Sequence, residues 1–61
     1  MTREAAKANI AILERMLADL IAGAHCVEDL AARMALSSQA VALQAAITAL
    51  RATESVLRVV R

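Results

Sequence analysis

The chain lacks every aromatic residue and every proline, and it has one glycine, one cysteine and one histidine in 61 residues. Each absence excludes something. Without Phe, Trp or Tyr, any core must be built from Val, Ile, Leu and Met alone. A single cysteine, Cys26, rules out an intrachain disulfide, and it suits a reducing compartment. A single histidine, His25, makes a protein-only metal cage implausible. One glycine cannot form a phosphate-cradling loop. After Gly23 nothing in the chain forces a break in a helix.

What is present is apolar surface. Hydrophobic residues make up 61% of the chain, and sixteen of them are alanine. Alanine forms helices well but buries little area. A domain this short buries only about 60% of its unfolded surface, and small domains commonly need a disulfide, a metal or a partner. With the first two excluded, assembly with itself or docking on a larger protein is expected. The formal charge of +1 decides nothing about nucleic acid, because charge distribution matters more than the sum. Charges recur from Arg3 to Asp19, so the opening run does not read as a signal peptide. The charge-free stretch from Met34 to Leu50 is too short and too polar for a membrane span. A cytoplasmic protein with no membrane association is the expectation.

Periodicity gives the elements. Ile10, Leu13, Met16, Leu17, Leu20 and Ile21 recur in steps of three and four, which predicts a long helix over residues 2–22. Thr2 is its expected N-cap, and Gly23 is expected just beyond its end in a left-handed conformation. Charge order predicts a short second helix over 27–34, with Glu28 and Asp29 early and Arg33 late. Ser37 or Ser38 then caps a third helix over 38–52, whose stripe is Ala40, Leu43, Ile47 and Leu50. The tail, 53–61, reads as a short strand from its β-branched residues, or as continued helix from the Glu54/Arg58 spacing. The expected fold is a single all-α, three-helix domain, dimeric.

The run Val27 to Val41 carries the most information. Leu30-Ala31, Leu36-Ser37 and Val41 stand where a small residue, a corner plug with a cap, and an inward branched residue are needed for two closely crossed helices. This run resembles the helix-turn-helix of bacterial repressors and winged-helix regulators, over about 25 residues to Leu50. The resemblance implies a helix-turn-helix arrangement and a homodimeric DNA-binding transcription regulator. Ser38, Gln39, Gln44 and Thr48 would face bases, with Arg33 and Arg51 on phosphates. The dimer surface would come from Ile10, Leu13, Leu17, Leu20 and Leu43. Two departures weigh against it. Ala35 stands where the family has glycine, and the would-be recognition helix holds no Lys or Arg before Arg51.

The alternative is a non-enzymatic protein-protein interaction module, an adaptor or small inhibitor that forms a helical bundle with a larger protein. No catalytic residues, metal ligands or cofactors are expected under either reading. His25 beside Cys26 suggests a base and nucleophile, but sequence neighbours rarely point at one another and no third group orients the histidine. A loop histidine and a buried thiol is the plainer reading. Met16 and Met34 read as core fillers.

Overall fold

The computed structural model describes residues 1–59 and contains two helices: α1, Arg3–His25, and α2, Leu30–Val59. They form an antiparallel hairpin. The all-α class stands, but the three-helix domain and its helix-turn-helix arrangement do not. Residues 30–59 are one continuous helix of 30 residues, so the turn expected at Ala35-Leu36-Ser37-Ser38 does not exist. The physical reason lies in the backbone. Ala35 has a Cβ that makes a left-handed turn costly, by about 1–2 kcal/mol. Serine is tolerated inside a helix. With no proline or glycine there, helix propagation wins. The tail follows suit and is helical through Val59, while Val60 and Arg61 lie outside the described residues.

Both helices begin on a sequence-encoded cap. Thr2 has extended backbone, and its Oγ1 accepts a hydrogen bond from the Ala5 amide at 3.1 Å. Asp29 does the same for α2: its Oδ1 accepts from the Ala31 amide at 3.1 Å, and its carbonyl accepts from the Arg33 amide at 3.0 Å. Asp29 is thus the cap, one position outside the helix, and the helix expected over 27–34 starts at Leu30.

Gly23 does not stand beyond the helix in a left-handed conformation. It lies inside α1, and no described residue has a positive φ. The helix runs two residues past it and ends at His25, with the Cys26 amide bonding back to the Gly23 carbonyl at 3.1 Å. A Cβ at Gly23 would meet nothing within 4 Å. Gly23→Ala is therefore expected to stabilise the fold by about 0.5–1 kcal/mol, through lower unfolded-chain entropy. Denaturant titration with an unchanged m-value checks this.

The helices meet along a seam with coiled-coil spacing. From α1 it takes Ala6, Ile10, Leu13, Leu17, Leu20 and Ala24. From α2 it takes Leu36, Ala40, Leu43, Ile47, Leu50, Glu54 and Leu57. Alternating steps of three and four keep each stripe on its partner over the whole length. The seam is thin. Only Ala6, at 0% exposure, and Ile47, at 4%, are buried apolar residues among those described. The Cα trace measures 49 × 14 × 12 Å with a radius of gyration of 14.2 Å. A compact domain of this length would have about 10–11 Å. The molecule is a rod.

Candidate functional site

Two surfaces of the rod stand out, one charged and one without any charge. The charged one lies along a flank of the seam near the open end of the hairpin, opposite the α1–α2 loop. Glu54 interrupts the apolar stripe of α2, where the repeat calls for a hydrophobe, and it is buried at 6% exposure. Such a carboxylate needs partners. Arg3 of α1 donates from Nε to its Oε1 at 2.9 Å, and Arg58, one turn along α2, donates from Nη2 to Oε2 at 3.0 Å. The hydrogen bond from Arg3 holds the Glu54 carboxyl below its ordinary value of 4.5, against a partial desolvation that pushes it up, with Arg58 adding to the lowering. Further along, Arg51 pairs with Glu14 across the helices. Arg15 and Asp19 pair within α1 at 3.7 Å, largely in solvent, which leaves that pair little energetic weight.

The sign of the Glu54 effect sets a pH dependence. A lowered folded-state pKa contributes stability that is present above the ordinary carboxylate value and is lost as pH falls through the folded value. Stability is therefore expected to decline below about pH 4.5. In Glu54→Gln that part of the acid limb is expected to flatten. Thermal unfolding followed by circular dichroism between neutral and acid pH measures the difference.

The sequence-expected DNA contacts do not converge. Arg33 and Arg51 stand eighteen positions apart on one straight helix, about 27 Å at the α-helical rise. Arg51 is engaged with Glu14. Gln44 and Thr48 lie on the Arg51 flank, Gln39 lies on the opposite flank beside Met16, and Ser38 points away from α1. The Thr48 hydroxyl is spent on its own helix, donating to the Gln44 carbonyl at 3.0 Å. The residues expected at a dimer surface, Ile10, Leu13, Leu17, Leu20 and Leu43, are all half-buried in the seam within one chain. Cys26 is exposed rather than buried, and Met16 and Met34 lie on the surface rather than in a core. No group of three or more metal-ligating side chains exists among the described residues. Among them no helix is long and apolar enough to cross a membrane.

The second surface is the side of α2 that faces away from α1. Projected at about 100° per residue, all four described charges of α2 (Arg33, Arg51, Glu54 and Arg58) fall in one sector about 60° wide, and that sector is on the α1 side. The outward side has none. It is made of Met34, Val41, Ala45, Ala52, Val56 and Val59, with Ser38 and Thr48 between them, and every one is exposed. Val41 is 67% exposed and Val59 81%. An ordinary surface helix has the reverse pattern, with charge outward. The outward side of α1, with Glu4, Arg15 and Asp19, does follow the ordinary pattern. Sequence reasoning noted the charge-free stretch from Met34 to Leu50 but missed the inversion, because it broke α2 in two and so had no common axis on which to project the charges. No family model, no curated protein and no solved structure matches the chain.

Proposed function

We propose that this hairpin is a non-enzymatic interaction module, one helical pair of a larger helical bundle. The observation that carries this reading is the inverted face of α2. Thirty residues of helix expose no described charge on the solvent side while concentrating all of it near the seam. Water does not favour that distribution; a covering layer of other helices does. The thin seam supports the same reading, since two buried apolar residues among those described are little to hold a fold together.

The charged cluster has a supporting role. Glu54 accepts from both Arg3 and Arg58, which fixes how far α1 and α2 overlap and presents the outward face of α2 as one straight surface. A buried polar group that sets register is its best-attested use in helical assemblies. The test is the isolated chain at high dilution, with helicity followed by circular dichroism and apolar surface by a fluorescent dye. Frayed helix and dye uptake are expected. A fully helical chain that takes up no dye contradicts the proposal.

A further inference from the structure

We infer that the partner seated on the outward face of α2 is a second copy of this chain, packed back to back and antiparallel. This inference rests on the interaction-module reading and names its partner. Three observations point to a copy.

The first is area. The chain exposes 4582 Å². A compact monomer of its 6.4 kDa mass would expose about 3,800 Å² by the scaling of accessible surface with mass. The excess, about 800 Å², equals each partner's share of a standard protein-protein interface.

The second is the neutrality of the face. A two-fold axis places a surface against itself, so a charge near the axis would meet its own copy. The outward side of α2 has no described charge to oppose. Its small side chains, Ala45 and Ala52 at the centre line, let two helices approach at the close end of the usual 8–10 Å.

The third is charge along the rod. Among the described residues the loop half has Arg15 and Arg33 against Asp19, Glu28 and Asp29, a net of −1. The open-end half has Arg3, Lys7, Arg51 and Arg58 against Glu4, Glu14 and Glu54, a net of +1. Antiparallel copies set each half beside its opposite; parallel copies set like beside like.

The full chain is tested by sedimentation equilibrium from low micromolar to submillimolar concentration. A species of twice the 6.4 kDa chain mass is expected. Val41→Glu and Ala45→Lys place charge on the face without touching the seam, and each is expected to weaken the dimer by about 100-fold or more, the scale of burying an unpaired charge. Ala11→Lys, on the outward side of α1, leaves it unchanged. Cys26 is the sole thiol and is exposed, so one spin label per chain reads orientation. Antiparallel packing over the length of α2 separates the labels by about 45 Å, and parallel packing by less than half of that. A dimer that survives both face variants, or labels at the short distance, overturns the arrangement. A monomer at every concentration overturns the second copy, and so does binding to anionic vesicles without self-association. In that monomer, dye uptake that Val41→Glu abolishes keeps the module reading with a different partner. No uptake at all overturns both.

Discussion

Ile47→Ala is expected to cost about 2–3 kcal/mol, the lower part of the range for removing a buried branched side chain, because a seam between only two helices can partly close over the gap. That is a large share of what a chain of 61 residues has; domains this size are stable by roughly 3–9 kcal/mol. Ile47 is the one large apolar residue among those described that is nearly out of water. Its neighbours in the stripe, Leu43 and Leu50, are only half-buried, and their truncation to alanine is expected to cost less. Denaturant midpoints for the three variants give the order. A cost for Leu43→Ala equal to that of Ile47→Ala would contradict that order.

Glu54→Lys is the second large effect. The substitution places a third cation between Arg3 and Arg58, in a position that excludes most water. Tm is expected to fall by roughly 5–10 °C for a domain of this size. The loss is expected to be electrostatic in origin, so the charge-exchanged double variant, Arg3→Glu with Glu54→Arg, should recover part of it. Glu54→Leu separates two roles. It restores the apolar stripe, so stability holds or rises, while the link that sets the overlap of the helices is gone. Broader amide signals in the nuclear magnetic resonance spectrum of Glu54→Leu, at equal or higher Tm, are the expected signature of lost register. A Glu54→Leu protein with spectra as sharp as the parent's would leave Glu54 without that role.

Much of the hairpin can be read from the chain, and the unread parts have specific causes. Ile10, Leu13, Leu17 and Leu20 mark α1, and Thr2 caps it as its residue type suggests. The Glu54/Arg58 and Arg15/Asp19 pairs follow from spacing alone. The break expected at Ala35-Leu36-Ser37-Ser38 does not occur, because a capping residue permits a helix start but cannot enforce one; only a residue that disrupts the preceding helix can. Gly23 misleads in the same way, since glycine allows a left-handed turn but does not require it. Glu54 escapes a search for apolar stripes because it occupies a stripe position with a charge, and only its two arginine partners, one of them 51 residues away, reveal why. The outward face of α2 escapes because only an unbroken helix shows that its residues share one side. Its signature is the placement of charge elsewhere.

The most direct measurement is the thermal midpoint of the unmodified chain, followed by circular dichroism at 222 nm, over about a hundredfold range of concentration. If α2 is half covered in the isolated hairpin and fully covered by a copy, mass action raises the midpoint with concentration, by roughly 5–10 °C over that range. A sharp transition at one fixed temperature, from the most dilute sample to the most concentrated, would mean that the hairpin holds itself together alone.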